Sequence, residues 1–492
     1  MNAGNTTWTG NTGNDNNAVG LSIGSVFTNT GTFTDSNAFD SSMSNGTFAN
    51  SGIFNKQSAT TTSMGSVFNN TGTVNVNAGT MLMNGGGTDS GVFNIVDGAK
   101  LEFRNGAHTL NNVTTSGLGT FQISTENVGA DATVTVNGGT HTTPFLMSGS
   151  NMNGTDTIFQ GPVTWTGGAI GGDGLTTFES TTFQNDVTIS GPNLKTLVGG
   201  RTLNLEGTTT WSGNTAADNN TIRFWNGATI NNNGTFNDGN AFDSFVEHNV
   251  GGPHNFNNNG IYNKQTNTVT DFDLFVNFNN TAAGAVNVNA GTLRIANAVD
   301  NLGTITTATG ATFASTSTGA NLQNHGILQG TGTYDPGTGR AVQNFGQVQP
   351  GTPTSVGDLL IAGDYNQESV GLIEFNLAAL TDFDTMDVLG NLNLAGTVHV
   401  SSLAGYNPND GDTFTIITFD DGIIDVSDLV GVFSDVTWTG FDPGVSFTAL
   451  YFEHAVVLSA TNAVPLPASV WLLGTGVAGI AGLARRRRKA RS

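Results

Sequence analysis

The chain has 492 residues, of which 37 are acidic and 15 basic, giving a formal net charge of −22 with only 11% charged side chains. It contains no cysteine, which excludes a disulfide framework, thiolate metal sites and Cys–His nucleophilic chemistry. Six basic residues stand in the last eight positions, so the body carries nine basic against 37 acidic groups, a formal −28. That balance argues against a nucleic-acid partner, whose phosphates need clustered Lys and Arg, and suits solubility or divalent-cation bridging to acidic polymers.

Residues 1–20 show neither a basic leader nor an apolar core of the secretory type. The expectation is that Met1 is an internal or misassigned start; the alternative is a leaderless export route. Glycine, asparagine and threonine then dominate, a composition that by itself suits disorder, but 31 phenylalanines at regular places argue against it.

Those places form a repeat, apolar-x-Asn-x-Gly-x-apolar. It occurs at Phe27-Asn29-Gly31-Phe33, Phe48-Asn50-Gly52-Phe54 and Phe68-Asn70-Gly72-Val74. It returns at Ile230-Asn232-Gly234-Phe236, Phe256-Asn258-Gly260-Tyr262, Val299-Asn301-Gly303-Ile305, Leu322-Asn324-Gly326-Leu328 and Val342-Asn344-Gly346-Val348, with a stretched form at Phe278-Asn280-Gly284-Val286. Adjacent glycines lie 19 to 26 residues apart, a period that signals a solenoid. In this reading an apolar residue closes one short strand, Asn-x-Gly turns the chain, and the next apolar residue opens another strand. The glycine is expected to supply a positive φ, and equivalent asparagines, stacked about 4.8 Å apart, to form an amide ladder. Alternation in Gly72-Thr73-Val74-Asn75-Val76-Asn77 sends the valines inward. One coil cannot bury its own apolar edge, so the coils must stack. The predicted fold is all-β, a right-handed parallel β-helix of roughly 16 coils over the first 350 residues, about 80 Å long.

A longer duplication overlies the coils, spanning about 6–104 and 209–316. Thr6-Thr7-Trp8 through Phe39-Asp40 aligns without gaps to Thr209-Thr210-Trp211 through Phe242-Asp243, with more than half the positions identical. Asn55-Lys56-Gln57 returns as Asn263-Lys264-Gln265, and Asn75–Thr80 as Asn287–Thr292. The second copy has a lead-in (Gly161–Gly168, Gly200–Leu203) that the first lacks. Three regions are expected: repeats over 1–349, closing coils or a small β-sandwich cap over 350–462 after the Gln349–Pro353 breaker, and a terminal segment over 463–492. Leu359–Tyr365, Phe383-Asp384, Val388–Gly390, Leu394–Val398 and Gly411–Ile417 resemble the closing coils of autotransporter-type and filamentous-haemagglutinin-type passenger domains.

Catalytic residues are not evident. Of His108, His141, His248, His254, His325, His399 and His454, only His248 and His254 are close in sequence, with Glu247 beside them. No metalloprotease spacing is present, so the histidines are expected in exposed loops and no metal is assigned. Asp382, Asp384 and Asp387 offer paired carboxylates of the kind a β-helical glycosidase would set across a groove. Asp420, Asp421, Asp425 and Asp428 offer oxygen ligands for a structural calcium ion, and Gly171–Gly174 resembles half of a calcium-binding nonapeptide. Solvated acidic corners are the simpler reading of both, and no cofactor is assigned.

The last thirty residues are the most specific. Val464-Pro465-Leu466-Pro467-Ala468 precedes an uncharged stretch to Ala484 and then Arg485, Arg486, Arg487, Arg488, Lys489 and Arg491. Ala468 to Ala484 as a helix rises about 25 Å, at the short end for a bilayer core, with Trp471, Leu472, Leu473, Val477, Ile480 and Leu483 as its apolar anchor. By the positive-inside rule the basic cluster stays cytoplasmic and the body lies outside. A buried terminal helix of a soluble domain is the alternative. Motif, span and basic end in this order resemble the VPLPA variant of the PEP-CTERM sorting signal. The resemblance implies a Gram-negative surface protein that passes through the inner membrane, is recognised near the motif by an exosortase-type membrane protease or transpeptidase, and associates with exopolysaccharide or matrix glycans. A plain tail anchor without processing is a second reading of the same residues. An adhesin gripping a specific glycan or receptor is the alternative function, predicting a groove lined by exposed aromatics such as Trp165, Trp211 or Trp225. A polysaccharide-degrading enzyme is a third.

Overall fold

A computed structural model describes residues 1–10, 12, 17–125, 133–171, 179–317, 319–420, 429–462 and 481. Short strands follow one another around a three-sided coil. The first turn of the pattern is seen in Val26–Asn29 on one face, Thr32–Asp35 on the second, and the start of Ser41–Asn50 on the third. Each strand pairs in parallel with the strand one coil further on: Phe27 with Phe48 and then Phe68, and Phe33 with Phe54, Val74 and Phe93. The second face is a 13-stranded ladder continued by a 6-stranded one, and the other two faces join in a 36-stranded sheet. Sixteen second-face strands precede residue 350, and the parallel ladders run on to Asp435–Thr439. This is a β-solenoid of about 16 turns over the repeats.

Alternation explains the core. In Thr73–Val76 and Ala285–Val288 the valines are buried and the polar residues between them half-exposed. Stacked like with like, the inward residues form columns. Phe27, Phe48 and Phe68 stack with centroids 5.2 and 5.6 Å apart, and Phe236 lies parallel to Tyr262 at 5.3 Å. Offset rings at this spacing add to the area they bury.

The corners hold the predicted amide ladder, now with its geometry. Asn2, Asn29, Asn50 and Asn70 are linked Nδ2 to Oδ1 at 2.7–2.8 Å. A longer ladder runs through Asn232, Asn258, Asn280, Asn301, Asn324 and Asn344 at 2.7–2.9 Å and ends on Gln367. The Nδ2 that donates along a ladder is shared with a carbonyl just past the next corner, as Asn29 with Ile53 O at 3.0 Å, while Asn70 at the end of the first ladder leaves its Nδ2 unpaired among the described residues. A buried turn thus satisfies its backbone without water.

The corner glycines act differently from the expectation. Gly31, Gly52, Gly72, Gly234, Gly260, Gly303, Gly326 and Gly346 do not stand among the positive-φ residues. A Cβ on Gly52 would instead lie 2.1 Å from Gly31 O, and one on Gly326 2.0 Å from Gly303 O. The residue must be glycine because successive turns approach too closely for a methyl group.

The two sequence copies do not occupy the same side of the solenoid. Thr32–Asp35 belongs to the second face, whereas its equivalent Thr235–Asp238 belongs to the third, paired with Thr208–Trp211 and Ile261–Lys264. The asparagine corner moves round with it. At the far end Thr413–Phe419 pairs antiparallel with Ala455–Asn462, which pairs with Val445–Phe452, burying Phe414, Ile417, Val456 and Leu458.

Candidate functional site

The outer surface has a marked charge pattern. Of the body's basic residues, Lys56, Lys195 and Lys264 lie inside the solenoid. Lys100 and Arg104 flank Glu102, Arg201 holds Glu179, Arg223 holds Glu247, and Arg294 holds Asp271. These cations are neutralised in place, so the surface is left acidic and threonine- and asparagine-rich. External asparagine ladders, such as Asn204–Asn231–Asn257–Asn279, run along it at 2.8 Å.

Trp165 and Trp211 are core residues, 0% and 1% exposed, which removes them from any binding groove. Trp225 differs: it is half-buried and stands at the end of a groove of ≈ 440 Å³ on the first face. Thr133, Asn151, Asn153, Ala169, Thr196 and Val198 line the groove, spanning successive coils. The Trp225 Nε1–H and Asn153 Oδ1 have no protein hydrogen-bond partner among the described residues. An aromatic face with amide and hydroxyl groups of both hydrogen-bonding senses is chemistry for a polar, flat-faced ligand.

The proposed carboxylate cluster does not converge. Asp384 is fully buried, accepting Gly357 N–H and Asn376 N–H at 2.7 Å each, and burial pushes its carboxyl up to about 8. Asp387 points outward and accepts from the Thr418 hydroxyl, while exposed Asp382 sits in the antiparallel turn with Ala379. Asp384 is a backbone clamp rather than half of an acid pair.

The histidines correct a second expectation. His108, His141 and His254 are buried rather than exposed. His108 Nε2 lies 2.9 Å from Asn105 O, His141 Nδ1 3.2 Å from Thr115 Oγ1, and burial pushes both imidazoles down to about 4. His248 and His254 do meet, with Nδ1 2.9 Å from Nε2, but Glu247 is turned to Arg223. Among the described residues no three His, Asp or Glu gather in a metal-binding group. Asp421, Asp425, Asp428 and residues 172–174 of the calcium candidates lie outside the described residues.

Sequence reasoning missed a buried polar cluster present in both copies. Asp35 accepts from Asn37 Nδ2 at 2.6 Å and from the Ser41 and Thr62 hydroxyls; Asp238 accepts from Asn240 Nδ2 at 2.9 Å and from the Tyr262 and Thr270 hydroxyls. Lys56 donates to Ser58 Oγ at 3.0 Å, and Lys264 to Thr266 Oγ1 at 2.9 Å. The recurring Asn-Lys-Gln triplet was the available signal. Nothing in it marked the lysine as interior.

The sorting motif Val464–Ala468, the span from Ala468 to Ala484 and the basic cluster to Arg491 lie outside the described residues, apart from Ala481. Among the described residues no helix is long and apolar enough to cross a membrane. Residues 463–489 match the family described as the PEP-CTERM protein-sorting motif. The chain therefore carries, at the end of its β-solenoid body, a signal that implies export and processing by an exosortase in a Gram-negative cell. No curated protein matches the chain.

Proposed function

We propose that this is a non-enzymatic structural protein of the cell surface, a right-handed β-helical rod held in the inner membrane by residues 468–484 and then processed at its VPLPA motif. The right hand is the one that strand twist favours for parallel crossovers. Once outside, the rod associates with exopolysaccharide or another matrix glycan. The observation that carries this reading is the sorting motif at residues 463–489 on the end of a solenoid whose described exterior is acidic and hydroxyl-rich, with Lys100, Arg104, Arg201, Arg223 and Arg294 each paired to a carboxylate. The autotransporter- and haemagglutinin-like closing coils are consistent with an exported shaft. Mass spectrometry of protein shed from producing cells tests it. A mature C-terminus near Pro467 is expected, and membrane-bound material with an intact arginine tail would reduce the signal to a plain anchor.

A second reading, a glycan-specific adhesin, is favoured by the groove beside Trp225. Replacing Trp225 with Ala is then expected to lower binding of the cognate glycan at least tenfold without changing the melting temperature, read by glycan-array titration.

A further inference from the structure

The duplication has placed the same surface groove on the solenoid twice. In the first copy the turn between Thr32–Asp35 and Ser41–Asn50 carries Phe39 and Asp40, and Asn17 stands across from them. In the second, the turn between Thr235–Asp238 and Ser244–Val250 carries Phe242 and Asp243, with Asn220 opposite. Asn17, Phe39 and Asp40 align with Asn220, Phe242 and Asp243 at the same offset. The hollows measure ≈ 880 and ≈ 410 Å³.

The correspondence reaches individual atoms. Ser42 N–H is bonded to Asn17 O at 2.9 Å, and Phe245 N–H to Asn220 O at 2.9 Å. Asp40 Oδ1 accepts Thr61 N–H at 2.8 Å, and Asp243 Oδ1 accepts Val269 N–H at 2.9 Å. Each carboxylate is thereby aimed while its second oxygen stays free of protein hydrogen bonds among the described residues. Phe39 is 43% and Phe242 42% exposed. The columns that include Phe33, Phe48, Phe54, Phe68, Phe236 and Phe256 are buried, whereas these two rings are exposed at the same position of both copies, and exposed Phe245 joins Phe242 in the second groove.

We infer that the two grooves are equivalent binding sites for a neutral polysaccharide, and that one protein molecule thereby bridges two glycan chains. A sugar presents an apolar C–H face to a ring and hydroxyls at its rim. Each groove offers an exposed ring, a fixed carboxylate and hydroxyls of Ser or Thr, so both donors and acceptors border one flat apolar surface. A carboxylate in each site and a body at −28 disfavour a polyanion. Lys56 and Lys264, the lysines that feel these carboxylates, keep their ammonium groups on interior oxygens.

The bridging follows from topology. The first groove lies at the corner between the second and third faces, the second at the corner between the third and first. About nine coils separate them along the ladder, roughly 45 Å at strand spacing. They open at different corners, so two separate strands are engaged more readily than one. This inference rests on the matrix-glycan reading above and names the sites that would serve it.

The test uses the purified full chain in detergent with exopolysaccharide from producing cells, split on an anion exchanger into neutral and acidic fractions. The wild type is expected to co-sediment with the neutral fraction and to raise its light scattering by cross-linking. Phe39→Ala and Phe242→Ala should each still bind, abolish the scattering increase and lower apparent affinity on the order of 100-fold through lost bivalency. The double variant should not bind, while Phe39→Tyr/Phe242→Tyr should behave as wild type. Both rings are exposed, so unchanged melting curves check that the fold persists. Binding and cross-linking by the Phe39→Ala/Phe242→Ala chain at wild-type level would overturn the twin sites and leave the matrix reading standing. Preference for the acidic fraction would overturn the neutral ligand. Failure of the wild type to bind either fraction would sink the matrix reading itself.

Discussion

A single methyl group is enough to separate two coils at the corner glycines. The methyl of Gly52→Ala or Gly326→Ala would meet a carbonyl oxygen one coil away at 2.1 or 2.0 Å, and backbone on both sides leaves it nowhere to go. We expect each to destabilise the chain by about 1–3 kcal/mol in urea denaturation, the usual range for overpacking. Gly20→Ala, where a Cβ meets nothing within 4 Å, should be near neutral. The asparagines beside these glycines are similarly constrained. Asn301 donates to Asn324 Oδ1, Gly303 O and Ile327 O and accepts from Asn280. Asn301→Ala orphans several buried groups at once and should cost about 3 kcal/mol, against a few tenths for Asn263→Ala in an external ladder. Two buried acids have a pH consequence: Asp89 accepts Asn70 N–H at 2.8 Å, and burial pushes its carboxyl, like that of Asp384, up to about 8. A folded pKa above the unfolded one means that the native state holds the extra proton, so stability falls as pH rises toward 8. His108 and His141, pushed down to about 4, act in the opposite sense and only below pH 6.5. Wild-type stability should therefore decline between pH 6.5 and 8. Asp89→Asn should flatten part of that decline, as read by urea midpoints across the interval.

At the scale of the element, the corner pattern was legible because it is local. Asn-x-Gly between apolar residues marks a turn wherever it occurs, and period-two alternation assigns the inward side chains. Gln367 escaped the pattern because a longer amide accepts the end of the ladder four residues, rather than two, before its glycine at Gly371. The interior lysines escaped for a different reason. Lys56 and Lys264 occupy inward positions of Ile53–Lys56 and Ile261–Lys264, and only the oxygens of the following turn make that tolerable. Trp225 and Trp211 look alike in sequence, yet one faces a groove and the other the core, which their strands' registers decide. The antiparallel hairpin of Val445–Phe452 and Ala455–Asn462 covers the strand Thr413–Phe419. A chain ending at Gly444 should expose that strand and self-associate, whereas one ending at Asn462 should remain monodisperse by light scattering.

At the scale of the whole molecule, nineteen second-face strands among the described residues predict a shaft of roughly 90 Å, measurable by small-angle scattering. Orientation is the larger question. Replacing Arg485–Arg488 with Ala should weaken the positive-inside signal, and protease added to intact cells should then degrade less of the body than in wild type. The sequence by itself determined the solenoid, its period, its asparagine corners and the sorting terminus, because each is written in short-range pattern or in a contiguous motif. The tertiary structure alone decided that the corner glycines answer a contact between coils, that the paired carboxylates diverge, and that the duplicated segment turns one face further round. Those facts depend on which residues stack about 20 positions apart, and every irregular loop between the copies shifts that stacking.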